Sequence, residues 1–338
     1  MVSAFGWLIG FEDIVCGVES SMHARYRERH DPLRIGVTGA CGYMGSTLVR
    51  EVLAWEAMAG EARGDTKGGD EGERRGGVCL SAVLEREGHP LEGRDIGAWV
   101  GVGECGVCVG DDIASFVDRV DAVMDFSSPD HSVVLCEHIM RRGGIHIMGT
   151  TGFTEKDDRS INALMSRHKK QGGVIVRAAN MSVGVNLLGM LTQQASSILG
   201  TDFDIEIFDI HHRRKVDAPS GSAWFLAQAA AKGRKKETLK KKQDVLAFRW
   251  GRGPSRDEGK IGFASLRGGD MTGTHTVYML GDGETLELTH RAQDRTIYAK
   301  GAMRAVLWAR TQDAGLYTMA DVLRDMWLSQ GEGHEGKG

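Results

Sequence analysis

Hydrophobic and polar positions follow two different patterns along this chain, and the pattern changes near Asn186. From Leu33 onward, short apolar runs alternate with segments that have helical spacing. The runs predict strands at 33–38, 78–84, 122–126, 145–148 and 174–176, with a helix through Trp55 after the first run and helices near 132–140 and 161–168. Strands that alternate with helices predict a parallel sheet covered on both faces.

Beyond Asn186 the strand candidates follow one another. Residues 203–207 alternate apolar and acidic side chains, which is typical of a half-buried strand. A helix is predicted at 222–232, then strands at 261–266, 274–280 and 285–289, then helices at 296–310 and 319–328. The last two strands are joined by Gly281-Asp282-Gly283, a hairpin signal. This order predicts a second, α+β domain with an open sheet.

Composition and charge narrow the class of protein. The net charge of −4 gives no reason to expect nucleic acid as a partner, and no apolar run is long enough to cross a membrane. Six scattered cysteines fit a reducing, cytoplasmic compartment. Cys105 and Cys108 form an isolated pair without two further ligands, so no metal site is predicted. Residues 1–31 are interpreted as a disordered extension, and the glycine-rich, charged residues 59–77 as a surface insertion.

A glycine-rich segment lies at the first strand–helix junction. It is formed by Gly39, Ala40, Cys41, Gly42, Tyr43 and Met44, and Gly45 follows. Backbone amides at such a junction can approach a pyrophosphate, which favours dinucleotide binding over a tight turn in an unrelated α/β protein. Glu85 ends the second strand and can bind ribose hydroxyls, while the adjacent Arg86 can receive a 2′-phosphate. The pair predicts that NADH or NADPH can serve, unless it is only a solvated charge pair.

The second chemical signal is a run of cationic residues from His211 to Lys215, directly after the alternating strand. It leads into Pro-Ser-Gly-Ser at a helix start, where free backbone amides bind carboxylates. Such a run is often only a solvated face. Here cations beside a helix N-terminus predict a receptor for a small dianion, with a histidine as proton donor.

With these motifs the chain resembles the 4-hydroxy-tetrahydrodipicolinate reductase (dihydrodipicolinate reductase) family. The likeness rests on residues 39–45, 149–153, 178–186 and 211–222, in the family's order, and covers the chain from about 33 to 328. It implies a Rossmann-type dinucleotide-binding domain and a second domain whose open mixed sheet builds a homotetramer. The implied reaction is NAD(P)H-dependent reduction of 4-hydroxy-tetrahydrodipicolinate to tetrahydrodipicolinate, with release of water, in lysine and diaminopimelate biosynthesis. The substrate is a small cyclic dicarboxylate.

The resemblance also implies roles for individual residues. His211 becomes the proton donor and acceptor, and Lys215 a second proton donor. His212, Gly221 and Ser222 would bind the substrate. The nicotinamide end of the cofactor would be lined by Gly149, Thr150, Thr151, Ala178, Ala179, Asn180 and Met181. Tyr43 departs from the family, where a basic residue is common, and Ser222 replaces a threonine.

The predicted organisation is therefore a dinucleotide-binding domain at 32–181, a substrate-binding and oligomerisation domain at 182–295, and helices at 296–330 that return to the first domain. Two other readings stay open at this point. An aspartate dehydrogenase-like enzyme would share the glycine loop but has no reason to carry the His-His and Pro-Ser-Gly segments. A non-enzymatic dinucleotide sensor would bind cofactor without needing His211 or Lys215.

Overall fold

The computed structural model describes residues 32–64, 77–235, 256 and 259–331. The predicted extension at 1–31 and most of the predicted insertion lie outside the described residues. No helix within the described ranges is both long and apolar enough to cross a membrane. The elements fall into two sheets with their covering helices, as predicted, so the fold class of the sequence analysis is confirmed.

A seven-stranded parallel sheet forms the first layer, in the order β11-β6-β5-β4-β1-β2-β3. Its strands are β1 Leu33–Thr38, β2 Val78–Leu84, β3 Val109–Gly110, β4 Ala122–Asp125, β5 Ile145–Met148, β6 Val174–Arg177 and β11 Gly315–Tyr317. Its helices are α1 Tyr43–Gly64, α2 Ile96–Val100, α3 Ile113–Asp118, α4 Pro129–Arg142, α5 Glu155–Arg167, α8 Thr296–Ala309 and α9 Met319–Gly331. Nearly continuous burial of the strands follows from helices that cover both faces.

The second sheet has four strands, in the order β10-β9-β7-β8. They are β7 Asp204–His211, β8 Ile261–Arg267, β9 Gly273–Gly281 and β10 Glu284–Ala292, with helices α6 Val183–Leu199 and α7 Gly221–Gly233. β7 pairs parallel with β8 and antiparallel with β9, so the sheet is mixed. Gly281 pairs with Glu284, which leaves the predicted two-residue hairpin turn of Asp282 and Gly283. Gly283 has a φ of 87°, the left-handed conformation that such a turn demands.

Each face of the first sheet has its own buried apolar cluster. The cluster on one face includes Val49 of α1 and Met303 of α8, so the C-terminal helices return to this sheet. Phe116 and Leu135 contribute to the cluster on the opposite face. The second sheet packs Ile207 against Leu226 of α7 in a third cluster.

The first helix is longer than predicted. α1 continues to Gly64, so residues 59–64 belong to the helix and not to a surface insertion. The segment after Trp55 contains Glu56, Ala57 and Met58, which are good helix formers, and no proline interrupts them. Local propensity therefore carries the helix past the point where its apolar pattern ends.

Candidate active site

The carboxyl ends of the parallel strands bring the predicted cofactor segments to one edge of the first sheet. β1 lies between β4 and β2. The chain passes from β1 to β2 and β3 on one side of β1, and then crosses to β4, β5 and β6 on the other side, so the strand order reverses at β1. The segments that begin at Gly39, Glu85, Gly149 and Ala178 all directly follow strands of this sheet. In open α/β sheets, ligands bind in the crevice at such a reversal of strand order.

The glycine loop closes tightly between β1 and α1. Gly39 has a φ of 62°, and a Cβ added to Gly45 would lie 2.0 Å from the Gly39 carbonyl oxygen. A side chain would strain the left-handed backbone at Gly39, and at Gly45 it would force the loop open. Ala40 is buried, Gly42 is exposed, Met44 is half-buried, and Tyr43 leaves 68% of its surface exposed. The backbone thus forms a cradle of the kind that a diphosphate needs at a helix N-terminus.

Glu85 contacts this loop directly. Parallel pairing places Leu84 beside Thr38, so Glu85 follows β2 at the level of Gly39. Its Oε1 accepts a hydrogen bond of 2.8 Å from the Cys41 backbone amide. Burial, and then the neighbouring carboxylate, raises the pKa of the Cys41 thiol to about 12. Arg86 is exposed at the same corner.

The two predicted nicotinamide segments are held by hydrogen bonds to their neighbours. Thr150 is buried, and its hydroxyl lies 2.9 Å from the Ser132 hydroxyl, whereas Thr151 is exposed. A Cβ on Gly149 would collide with the Phe126 ring at 2.3 Å. Met181 is only 1% exposed and belongs to the core, so in this structure its side chain does not line an open cleft.

His211 lies at the carboxyl end of β7, and a buried carboxylate fixes its ring. His211 Nδ1 is 3.0 Å from Asp209 Oδ2, and both side chains face the covered side of the sheet. Asp209 also accepts hydrogen bonds from Ser265 and, at 3.0 Å, from Arg267. Burial alone would raise the pKa of Asp209, but these donors and the Arg267 charge outweigh it and lower that pKa to about 2. An ionised Asp209 keeps the His211 proton on Nδ1 and leaves Nε2 for proton exchange.

A second histidine stands beside this pair. The rings of His275 and His211 meet edge to face with centroids 5.1 Å apart. His275 Nε2 is 3.3 Å from the hydroxyl of Ser220, the N-cap of α7. Burial, with a smaller contribution from the His211 charge, lowers the pKa of His275 to about 4. His275 is therefore a neutral neighbour at physiological pH.

The sequence alone suggested that the side chains of the cationic run converge on one point, but in the structure they do not. Lys215 is half-buried and its Nζ lies 2.8 Å from Asp217 Oδ1. Arg214 pairs with Asp270 at 2.7 Å on the surface, and Arg213 reaches the Gly269 carbonyl. Of the run, His211, His212 and Lys215 stay half-buried or buried, and the two arginines are exposed. The turn at 268–270 draws these two cations away.

The N-terminus of α7 meets the first domain through Asn180. Ser220 caps the helix by accepting from the Ala223 amide at 3.1 Å, which leaves Gly221 and Ser222 in the first turn. Asn180 Nδ2 donates to Ser222 Oγ at 2.9 Å. This hydrogen bond joins a predicted cofactor residue to a predicted substrate residue, so the two sites adjoin.

Sequence reasoning missed Asp209, Arg267 and His275. The alternation along β7 carried a usable signal for Asp209, because it shares the buried face with Ile205 and Ile207. An acid on an apolar face needs a partner. Arg267 and His275 come from other strands, and only the sheet pairing reveals their position.

Two groups of described residues each bring three potential metal ligands within 4.8 Å of one another, and both groups lie in the predicted sites. The first group is Cys41, Glu85 and His89, and the second is Asp209, His211 and His275.

Comparison with known proteins gives consistent matches. Residues 69–181 match the family model described as Dihydrodipicolinate reductase, N-terminus, and 184–323 match Dihydrodipicolinate reductase, C-terminus. The 4-hydroxy-tetrahydrodipicolinate reductase of Roseobacter denitrificans is 43% identical over 294 residues, which covers 86% of this chain and 97% of the relative. The 4-hydroxy-tetrahydrodipicolinate reductase of Methylocella silvestris is 43% identical over 291 residues, which covers 86% of this chain and 97% of that relative. Among solved structures, the chain is similar to a dipicolinate-bound dihydrodipicolinate reductase from Paenisporosarcina sp. TG-14, with a TM-score of 0.59 and 22% sequence identity. The match covers 85% of this chain and 97% of that chain, and it shows a shared fold.

Proposed function

Because the chain belongs to the dihydrodipicolinate reductase family, we propose how its residues perform that family's reaction. The chain is an oxidoreductase of lysine and diaminopimelate biosynthesis that reduces 4-hydroxy-tetrahydrodipicolinate with a pyridine nucleotide. One observation carries the assignment of roles. His211, held by buried Asp209, contacts His275, and His275 contacts the N-cap of a helix that is hydrogen-bonded to a predicted cofactor loop through Asn180.

The cofactor would bind along the carboxyl edge of the first sheet. The amides of residues 39–44 would hold the diphosphate, since the absence of a side chain at Gly45 lets the loop close tightly at the start of α1. Glu85 is already turned toward this loop by the Cys41 amide and would accept from the ribose hydroxyls. Residues 149–151 and 178–180, with the backbone of Met181, would flank the nicotinamide, which supplies the hydride when bound. We propose that both NADH and NADPH are used, because Arg86 stands next to Glu85.

The substrate would lie between His211 and the first turn of α7. The amides of Gly221 and Ser222, together with His212, would bind the carboxylates of a cyclic dicarboxylate. The dipicolinate in the Paenisporosarcina reductase is a ligand of this chemical class.

Proton transfer is assigned to His211 and Lys215. Hydride addition to a conjugated imine leaves negative charge, which a nearby acid must neutralise. With Nδ1 bonded to Asp209, His211 can deliver a proton from Nε2, and the carboxylate stabilises the imidazolium from which it comes. Lys215, held by Asp217, would provide the second proton, to the hydroxyl group that leaves as water. His211 would first take a proton from the neighbouring ring carbon, which gives the conjugated imine, and would return it after hydride addition.

Three wider assignments complete the proposal. Residues 32–181 form the dinucleotide-binding unit, 182–295 the substrate and oligomerisation unit, and 296–330 return to the first. The protein would assemble as a homotetramer through the outer face of the second sheet, where Phe208 and Ile210 of β7 are incompletely buried. The cytoplasm, where nicotinamide nucleotides and aspartate-derived intermediates occur together, is the proposed location.

Substitution tests the assigned roles. His211→Ala and Lys215→Ala should each lower turnover by about 10²- to 10⁴-fold, the range typical of general acid–base groups, with cofactor affinity nearly unchanged. Turnover is followed as nicotinamide oxidation at about 340 nm, where the reduced ring absorbs, with substrate made in situ by the upstream synthase. Arg214→Ala is the matched control, because Arg214 belongs to the same cationic run but is exposed and paired with Asp270. A raised KM for the cofactor with kcat preserved would place both residues in the wrong site.

A further inference from the structure

Three potential metal ligands meet at the corner where the glycine loop faces the end of β2. They are Cys41 of the loop, Glu85 directly after β2, and His89 in the turn that follows. One ligand atom of each lies within 4.8 Å of the other two, and all three side chains are half-buried. Cys41 and Glu85 are 44 residues apart, so the group has none of the short ligand spacings by which zinc sites are found in a sequence.

The backbone at this corner fixes the positions from which the three side chains extend. The Cys41 amide donates to Glu85 Oε1 at 2.8 Å, which holds the carboxylate against the loop. The Glu85 amide donates to the Gly110 carbonyl at 2.9 Å. The His89 amide donates to the Arg86 carbonyl at 3.2 Å and closes a turn. This turn returns the imidazole to the carboxylate four residues before it.

The chemistry of the three groups selects one kind of ion. A thiolate, an imidazole and a carboxylate are ligands of Zn²⁺, which also binds at sites with three protein ligands and one open position. Mg²⁺ and Ca²⁺ prefer oxygen ligands, so a site with sulfur and nitrogen disfavours them. Neighbouring ligand atoms in a tetrahedral zinc site are about 3.5 Å apart, so small side-chain rotations suffice to reach that spacing. The metal would displace the thiol proton, as in thiolate sites generally.

The contacts that a metal would have to replace at this corner are weak. His89 Nδ1 accepts a long hydrogen bond of 3.3 Å from the Leu91 amide, and within the described residues Glu85 forms no ion pair. The other group of three potential ligands differs in this respect. It is fully buried, and its Asp209 is paired at 3.0 Å with Arg267, whose charge repels a cation.

We propose that Cys41, Glu85 and His89 form a site for Zn²⁺, and that the metal and the cofactor exclude each other. Glu85 is the proposed acceptor for the ribose hydroxyls, and its oxygens cannot serve the ribose while they hold a metal. Zinc is then an inhibitor that competes with NADH. The metal site rests on the geometry of the corner, whereas the competition also rests on the proposed placement of the cofactor.

Metal binding is measured first, by calorimetry with Zn²⁺ on the full chain, kept reduced and freed of metal with a chelator. His89→Ala should weaken zinc binding at least about 100-fold, because even the outer partners of metal ligands are worth about 10- to 100-fold. Co²⁺ should give a thiolate charge-transfer band that Cys41→Ser removes. Cys108→Ser, which changes an exposed cysteine outside the group, should retain that band. Equal zinc affinity with and without His89, or a cobalt spectrum without the thiolate band, would overturn the site.

Competition is measured next, as the dissociation constant of NADH with free zinc about tenfold above its own dissociation constant. The apparent value for NADH should rise about elevenfold in the unsubstituted protein. His89→Ala should show no rise, which also controls for zinc held by the phosphates of NADH, and Mg²⁺ should cause none. Without metal, His89→Ala should bind NADH normally, because His89 has no assigned role in cofactor binding. If zinc binds through these three residues but leaves NADH affinity unchanged, the exclusion and the proposed cofactor placement fail, whereas the metal site stands.

Discussion

The buried carboxylate of Asp209 explains how the ring of the proposed proton donor, His211, is held in one orientation. His211 is the last residue of β7, and its ring lies beside that carboxylate on the buried face of the strand. Three donors from β7 and β8 hold Asp209, and Asp209 holds the ring. The pKa of about 2 means that the carboxylate remains ionised throughout any practical assay range. The tautomer of His211 is thus fixed by strands rather than by the loop.

Asp209→Asn tests this role with little change of volume. The amide can no longer stabilise the imidazolium and leaves Arg267 without its carboxylate, so we expect turnover to fall by about 10²-fold. Cofactor affinity should stay the same. Asp204→Asn at the start of β7, where the carboxylate pairs with Arg256, is the control. Equal losses in both variants would indicate a structural effect only.

Glu85 and Arg86 oppose each other in the choice of cofactor. The carboxylate favours the ribose hydroxyls of NADH and repels a 2′-phosphate. The guanidinium attracts that phosphate, a contact worth roughly 1.5–3 kcal/mol before the repulsion is subtracted. Tyr43 stands where the family commonly has a second basic residue, so a modest preference for NADH is expected.

Substituting Glu85 and substituting Arg86 should shift the cofactor preference in opposite directions. Glu85→Gln keeps an acceptor for the Cys41 amide but removes the charge, and should raise the relative kcat/KM with NADPH. Arg86→Ala should shift the ratio further toward NADH. The ratio of kcat/KM values for the two cofactors is the measurement, with Glu87→Ala as an exposed acidic control. If neither substitution alters the ratio, Glu85 is not the ribose-binding residue.

At the scale of elements, the sequence predicts those strands and helices whose apolar residues share one face. The strands of the second sheet and the helices α7, α8 and α9 are of this kind, and their observed bounds differ from the predicted ones by a few residues. The short strands β3 and β11 were missed because they are defined by pairing with β2 and β6, not by a local pattern.

Helix α6 was missed for a different reason. It buries Thr192 and Ser196, whereas Leu187, Leu191 and Ile198 are exposed. Its apolar residues therefore do not form the one-sided stripe on which helix prediction depends. The candidate site shows the same limit, since His211, Lys215 and the glycine loop follow from local motifs, whereas Arg267 and His275 reach the site only through the fold.

The contact of α8 with the loop at 178–181 gives a prediction at this scale. Gly301→Ala would place a methyl group 1.8 Å from the Met181 carbonyl oxygen, so the helix or the loop must move. Overpacking of this kind costs about 1–3 kcal/mol, and the melting temperature should fall by several degrees with a higher KM for the cofactor. Gly110→Ala meets its nearest atom at 3.8 Å and should change neither quantity. An unaltered Gly301→Ala protein would show that α8 does not position the loop.

For the whole molecule, the two sheets divide the chemistry. In the proposed function the parallel sheet presents its strand ends to the nucleotide and the mixed sheet supplies the proton donor. The mixed sheet also has a partly exposed outer face. Phe208 and Ile210 on that face alternate with the buried Ile207 and Asp209. A half-buried apolar sheet face is typical of a subunit interface.

A charge placed on that face should disrupt the proposed tetramer. Phe208→Asp should give a smaller species by size-exclusion chromatography with light scattering, because burying an unpaired carboxylate at an interface is costly. Leu316→Asp, on the exposed edge strand of the other sheet, should leave the mass unchanged. A tetramer that survives Phe208→Asp would assign the interface to another surface.

The central claim is that this chain passes a hydride from the cofactor to the cyclic dicarboxylate. It is tested most directly with NADH that carries deuterium at both C4 positions, and with substrate generated by the upstream synthase. We predict that one deuterium appears in each molecule of tetrahydrodipicolinate formed, as seen by mass spectrometry, in proportion to the NADH oxidised. Oxidation without deuterium in the product, or no oxidation while both ligands bind, would contradict the account.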